Sequence, residues 1–440
     1  MSEIDDRLEE LRDSGLYRRM RHVSGPQGSR VVLDGRPVLL LCSNNYLGLA
    51  DHPRVREAAA DAAMRWGAGA GGSRLVSGTM TVHRRLEEAL AAFKGTEATV
   101  LFGSGYLANI GVIGALARLA GSSSRGSQAP PVVFSDELNH ASIIDGCRLA
   151  RADVFVYDHC DVEHLAWGLR EHGVGSERPG IVVTDSVFSM DGDVAPLADI
   201  VALARRHGAR TVVDEAHATG CLGPGGRGAV AEAGLEAEVD VVVGTLGKAL
   251  GAYGAYAACS AAMRDYLTNT ARSLIFSTAL PPAAVAGAHA ALEVLQEHPE
   301  LPQRLQANAG VLRDELAREG FEIAGSSTQV VPLVVGDAEQ AMRLCEAAIE
   351  GGVFAQAIRP PTVPDGTSRL RLALMATHSR DELRAAARTL GRAALQAGFR
   401  PGAGPPVAAA QPAGHPDQRV PAPLASAPGA PADPAAQAAA

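Results

Sequence analysis

Of 40 basic side chains in the 440-residue chain, only two are lysines, Lys94 and Lys248, and the rest are arginine. The composition is also rich in alanine and glycine, so general bias explains the arginine excess. What lysine offers and arginine does not is a primary amine that can lose its proton and attack a carbonyl. Lys248 lies in Val241-Val-Val-Gly-Thr-Leu-Gly-Lys-Ala-Leu-Gly-Ala-Tyr-Gly254, an apolar run entering a glycine-rich turn. A phosphate-binding P-loop would need glycine at 242 and serine or threonine at 249; Val242 and Ala249 stand there instead. An exposed surface lysine is the ordinary alternative. The apolar run and the small flanking residues make a buried, functional amine at least as good a reading.

A carboxylate strengthens that reading. Asp214 follows the apolar run in Thr211-Val-Val-Asp-Glu-Ala-His-Ala-Thr-Gly220. Taken alone it is as well read as a helix cap or a surface residue. Beside an amine that forms a Schiff base it suits pyridoxal phosphate, whose pyridine nitrogen needs an acid partner so that the ring can accept a carbanion's electrons. His217, three residues on, is placed to face the same cleft and donate to the phenolic oxygen; a lone histidine would more often be structural. A phosphate needs a cradle. Phe102-Gly-Ser-Gly-Tyr-Leu-Ala-Asn109 is a small-residue turn leading into a helix, where backbone N–H groups and the dipole favour an anion. Gly67-Ala-Gly-Ala-Gly-Gly-Ser-Arg74 is a second glycine-rich loop, either a linker or a close backbone approach to a ligand.

The elements that must position these residues alternate. Strands are expected at Val132–Phe134, Val154–Tyr157, Ile181–Thr184, Thr211–Val213 and Val241–Val243, with helical stretches such as Leu197–His207 between several of them. Continuous apolar strands bracketed by helices indicate an α/β fold with a mostly parallel sheet covered on both faces. Polar residues follow the strands closely, and in such sheets ligands bind beyond the carboxyl ends. Thr81–Phe93 reads as an amphipathic helix with Val82, Leu86, Leu90 and Phe93 on one face. Pro282–Leu316 and Arg380–Ala397 look helical, with short strands at Val330–Val335 and Leu370–Leu374, which reads as a smaller α+β lobe completed by the N-terminal segment. The expected organisation is an N-terminal segment 1–47, a large domain 48–285, a small domain 286–398 and a disordered tail 399–440. The last 40 residues hold 15 alanines and 10 prolines, too few large apolar groups for a core. Gly121–Pro131 reads as a surface loop.

Composition narrows the class. A hydrophobic fraction of 47% and a charged fraction of 20% fit a globular enzyme, not a disordered or fibrous chain. The net charge of −9 argues against a nucleic-acid partner. No apolar run reaches the ~18 residues of a membrane span, and the acidic start is neither a signal nor a transit peptide. Cysteines 42, 147, 160, 221, 259 and 345 form no C-x-x-C pair, so reduced thiols in the cytoplasm are expected, with no zinc knuckle or other metal site.

Over about residues 15–398 the chain resembles the α-oxoamine synthases, which are fold-type I pyridoxal-phosphate enzymes. The matching stretches are Ser43-Asn-Asn-Tyr-Leu-Gly48, Gly71-Gly-Ser-Arg-Leu-Val-Ser-Gly78, Asp136-Glu-Leu-Asn-His-Ala-Ser142, Val187-Phe-Ser-Met-Asp-Gly192, Asp214-Glu-Ala-His217 and Gly244-Thr-Leu-Gly-Lys248. The resemblance implies that Lys248 carries the cofactor as a Schiff base and moves the substrate's α-proton. Asp214 would pair with the pyridine nitrogen, His217 would bond the phenolic oxygen, and His140 would stack on the ring face and contact substrate. Gly105 and Tyr106 would hold the phosphate with Ser189 and Thr245 nearby, and Ser277 and Thr278 would reach the phosphate in the other subunit of a homodimer. Arg359 and Asn44 would bind the amino-acid carboxylate, Thr362 would line the pocket, and an N-terminal arginine, taken as Arg18, would contact the acyl substrate.

The resemblance also implies a reaction, the decarboxylative condensation of an amino acid with an acyl thioester. The segment Ala357-Ile-Arg-Pro-Pro-Thr-Val-Pro-Asp-Gly-Thr-Ser-Arg-Leu-Arg371 points to L-alanine and a pimeloyl thioester, carried on coenzyme A or on acyl carrier protein. Glycine with an acetyl, succinyl or fatty acyl thioester is the nearest alternative, since a pocket that admits one methyl group decides only about 1–3 kcal/mol. A non-catalytic regulator or idle subunit is the alternative of another class. A regulator should carry a basic DNA-binding segment and an idle subunit should lack the lysine or its acid partner; neither holds here.

Overall fold

The β-branched runs become neighbouring strands because each is apolar on both faces. In the computed structural model seven strands lie in the order Ala98–Phe102, Ala255–Cys259, Val241–Thr245, Arg210–Asp214, Gly180–Asp185, Val132–Asp136 and Asp153–Tyr157. The last five run parallel. Ala255–Cys259 is the reversed strand, antiparallel to both neighbours. Parallel neighbours need crossovers, and helices Ala141–Ala150, Val162–Glu171 and Leu197–Arg206 fill that need. Strand alternation divides the core in two: Val182, Val213 and Val242 belong to one apolar cluster, and Ile181, Val183, Val212, Val241 and Val243 to the other. The structure describes residues 2–123, 130–175, 178–323 and 325–402. The proline- and alanine-rich stretch beyond 402 and positions 124–129 of the expected Gly121–Pro131 loop lie outside the described residues.

Helix Thr81–Lys94 buries Val82, Leu86, Leu90 and Phe93 as its periodicity dictates. The single helix expected over Pro282–Leu316 is two, Pro282–Glu297 and Glu300–Arg318. Pro299 has no N–H and bars its predecessor from the helical region, and His298 accordingly sits at φ −122° and ψ 64°.

Two smaller sheets complete the architecture. Val330–Gly336, Ser368–Ala373 and Gln356–Ile358 form an antiparallel sheet with Ser368–Ala373 in the middle. Near the N-terminus Arg30–Leu33 and Arg36–Leu40 form a hairpin whose two-residue turn, Asp34-Gly35, has φ +47° and +83°. Asp-Gly suits such a turn because both positions need positive φ. Arg36–Leu40 then pairs in parallel with Val353–Phe354, tying the start of the chain to its C-terminal part.

Candidate active site

Strands of the parallel sheet end on Asp136, Asp185, Asp214 and Thr245. Asp185 and Asp214 are register partners on adjacent parallel strands, so both carboxyls emerge on one face. Asp214 is buried; it accepts the Ala216 N–H at 2.8 Å and the Asn109 side-chain amide at 2.7 Å. Asp185 accepts the His140 backbone N–H at 2.7 Å. Burial, and then the charge of Asp214, raise the Asp185 carboxyl well above the usual range and favour its neutral form. Behind Asp214, the wholly buried Glu215 pairs with Lys94 and accepts the Val230 N–H at 2.7 Å. The second lysine of the chain is thus an internal counter-ion.

Lys248 sits on the turn after Val241–Thr245, with Nζ 2.7 Å from His217 Nε2. A hydrogen-bonded chain continues from there. His217 Nδ1 lies 2.6 Å from the Tyr46 hydroxyl, which donates to Asn44 Oδ1 at 3.1 Å. Arg371 donates to the same Asn44 oxygen at 3.2 Å, to Tyr46 at 3.3 Å and, through Nε, to the Ser189 carbonyl. Burial, followed by the Lys248 and Arg371 charges, holds His217 well below the ordinary imidazole range, so it stays neutral. Burial likewise lowers the Lys248 amine to about 8, against the opposing pull of Asp214.

Arg371 is the residue that sequence reasoning missed. It is only 7% exposed, and among the described residues no carboxylate pairs with it. Arg369, two residues earlier on the same face of the strand, pairs with Asp191. A buried guanidinium oriented by three neutral acceptors leaves its charge for a ligand anion.

Of the expected residues, Lys248, Asp214, His217, His140 and Asn44 come together, with Thr245 and Ser189 adjoining. His140 caps helix Ala141–Ala150, its Nδ1 2.7 Å from the Ser142 hydroxyl, which in turn accepts from Asn109 at 2.9 Å. Thr245 pins the lysine turn, donating to the Gly254 carbonyl at 3.1 Å and accepting the Gly247 N–H at 3.2 Å. Gly105 opens helix Gly105–Ser123 with nothing within 4 Å of where a Cβ would stand. Tyr106 turns outward, its hydroxyl donating to Asp145. Arg359 is not at Asn44: its guanidinium donates to the carbonyls of Gly15 and Tyr17, close enough to Arg18 for the two charges to repel. Thr362 lies exposed in the following turn. Ser277 and Thr278 line a separate crevice with Arg74, His83 and Gly103, where Thr278 bridges Ser73. Asn109, Tyr46 and Asp185 join the site as well; Asn109 and Tyr46 stand in the Phe102–Asn109 and Ser43–Gly48 stretches, but only the fold reveals what they touch.

The donor set fits pyridoxal phosphate. An amine that gives up its proton readily stands near a carboxylate aligned by Asn109, whose own Oδ1 is buried without a partner. The first turn of a 19-residue helix, with an open Gly105, suits a phosphate.

Residues 36–390 match the family model described as aminotransferase class I and II. An 8-amino-7-oxononanoate synthase of Citrifermentans bemidjiense is 52% identical over 389 residues, covering 88% of this chain and 97% of its own. That of Geobacter sulfurreducens is 52% identical over 398 residues, covering 90% and 99%. A solved serine palmitoyltransferase from S. paucimobilis, with bound PLP–myriocin aldimine, superposes with a TM-score of 0.83 at 32% identity, covering 90% of this chain and 97% of its own. The chain belongs to the class I and II aminotransferase family and, within it, to the 8-amino-7-oxononanoate synthases.

Proposed function

We propose that the protein condenses L-alanine with a pimeloyl thioester, on coenzyme A or acyl carrier protein, releasing carbon dioxide and the thiol and yielding 8-amino-7-oxononanoate for biotin synthesis. The observation that carries this reading is the juxtaposition of the Lys248 amine, Asp214 and an Arg371 that has no anion of its own. When bound, pyridoxal phosphate supplies an aldehyde for the amine and an electron-poor ring that takes up the charge left at the substrate's Cα. Lys248 would hold its aldehyde end, Asp214 its ring nitrogen, His217 its phenolic oxygen and His140 its ring face. Gly105 and Tyr106, with Ser189 and Thr245 nearby, would hold the phosphate, joined by Ser277 and Thr278 of a second copy.

The residues of the chain then divide the work. Arg371, steered by Asn44, Tyr46 and Ser189, binds the alanine carboxylate and so fixes which Cα bond faces Lys248. Lys248 Nζ removes the Cα proton, and its lowered proton affinity suits a base working near neutral pH. Cα attacks the thioester carbonyl and the thiol leaves. The carboxylate on Arg371 then departs as carbon dioxide, and Lys248 returns a proton to Cα. Because the anion that Arg371 binds is lost in the reaction, the product is held less tightly than the substrate. The exposed His140 would contact the acyl donor, and Arg18, Arg359 and Thr362 would line its approach.

The separate sheets support lobes at 48–285 and 286–398, with 1–47 joining the second. Six free cysteines, four of them buried, support the cytoplasmic setting. Among the described residues no helix is long and apolar enough to cross a membrane. Steady-state assays of alanine and glycine against pimeloyl, acetyl, succinyl and palmitoyl thioesters test the reading. Turnover of alanine with the pimeloyl donor is expected; activity confined to glycine and acetyl-CoA would refute it.

A further inference from the structure

His159 lies outside the network around Lys248, yet both of its ring nitrogens are engaged. Nδ1 is 2.9 Å from Asp136 Oδ1 and Nε2 is 2.8 Å from Asp193 Oδ2. The other oxygen of the buried Asp136 accepts the Cys160 N–H at 2.8 Å, holding Cys160 at φ +55°. The ring stands edge-on to Phe188 with centroids 4.4 Å apart. Burial opposes a charge here, but the hydrogen bonds to Asp136 and Asp193 outweigh it and lift the imidazole to about 12. The ring is therefore an imidazolium donating from both sides. Asp136, His159 and Cys160 are the one grouping of metal-type ligands among the described residues. With both nitrogens committed to carboxylates, it is an ion-paired clamp and not an open metal site.

What the clamp grips is a turn. Val187 and Val194 bridge its base, the Phe188 N–H donates to the Asp193 carbonyl at 3.1 Å, and the Gly192 N–H donates to the Phe188 carbonyl at 2.9 Å. Thr328 adds a hydrogen bond to the Gly192 carbonyl at 2.9 Å. From this turn the Ser189 carbonyl accepts Arg371 Nε and Asp191 pairs with Arg369. Asp193–His159 is the turn's charged tether to the seven-stranded sheet. A path thus runs from a strand end through the side chains of His159 and Asp193, and then through the backbone of the turn, to one of the three acceptors that orient Arg371.

We propose that His159 is a positioning residue for the amino-acid substrate. By fixing Asp193, it sets the Ser189 carbonyl and through it the plane of the Arg371 guanidinium. This rests on the reading of Arg371 as the partner of the substrate carboxylate. The test uses the holoenzyme with His159→Gln and, separately, Asp193→Asn, varying L-alanine and pimeloyl-CoA independently and titrating alanine alone by visible absorbance. The alanine KM and dissociation constant are expected to rise about tenfold or more. The thioester KM, kcat at saturating alanine and the spectrum without substrate should stay near those of the parent. Variants that unfold more easily but keep the parental alanine KM overturn the proposal, because a merely structural clamp does that. Should His159→Gln fail to fold, Asp193→Asn, at a more exposed position, decides alone. Arg371→Lys separates the two levels. If it leaves the alanine KM unchanged, the reading of Arg371 fails; if it raises that KM while the clamp variants do not, only the role of His159 fails.

Discussion

A lysine that releases its proton near pH 8 captures an aldehyde at neutral pH far better than one that holds it to about 10.4. Because the shift is downward, the neutral amine fraction grows as pH rises through 8. The rate at which cofactor-free protein develops colour with pyridoxal phosphate should therefore climb with pH and be half-maximal near 8. Asp214 works against that shift, so Asp214→Asn should move the midpoint lower while abolishing turnover. Stopped-flow absorbance across pH 6–10 reads both. At Arg371 the expectation is a loss of binding. Arg371→Lys forfeits a charged, forked contact of about 1.5–3 kcal/mol, so the alanine KM should rise at least about tenfold, and Arg359→Lys should leave it near the parental value. Lys248 and Asp214 were legible because lysine is scarce here and both follow apolar strands. Arg371 was not, being one arginine among many; the overlooked signal was two arginines at i and i+2 inside an apolar strand, a costly burial without a ligand or partner.

Elements announced themselves where apolar runs were β-branched and concealed themselves where they were not. The central parallel strands stood out, whereas Ala255-Tyr-Ala-Ala-Cys259 carries little strand propensity and owes its conformation to the neighbours on either side. Pro299 was readable as a helix break, but the amphipathic pattern on both sides of it ran on without interruption. The element that presents Asp214 and His217 is braced from behind by Glu215 and Lys94, a partnership between residues 121 apart that spacing alone does not disclose. Lys94→Met should cost about 3–5 kcal/mol, read from denaturant midpoints, because it strands a carboxylate in the interior. Pairing it with Glu215→Gln should recover much of that loss. Gly228→Ala should also destabilise, since φ is +106° and its Cβ would meet the Glu215 carboxylate at 2.0 Å.

For the whole molecule, the fold leaves apolar side chains uncovered around Ser277 and Thr278. Phe276 is 70% exposed and Val76, near Ser73 in the facing loop, is 83% exposed. Neither Ser277 nor Thr278 touches the network around Lys248 in their own protomer, in keeping with the proposed homodimer. Light scattering should give about twice the 45.4 kDa of one chain. Mixing inactive Lys248→Ala with a weakened Ser277→Ala/Thr278→Ala variant should restore activity by pairing intact halves; no recovery after verified subunit exchange would count against shared sites. The near-absence of lysine has a practical corollary. Lys94 is 2% exposed and locked in its ion pair, so a reagent that seeks side-chain amines finds only the reactive centre. Lysine acylation by an activated ester dye would therefore fall on Lys248 and silence the protein in proportion, and bound cofactor should shield it, while labelling confined to the α-amine should leave activity intact.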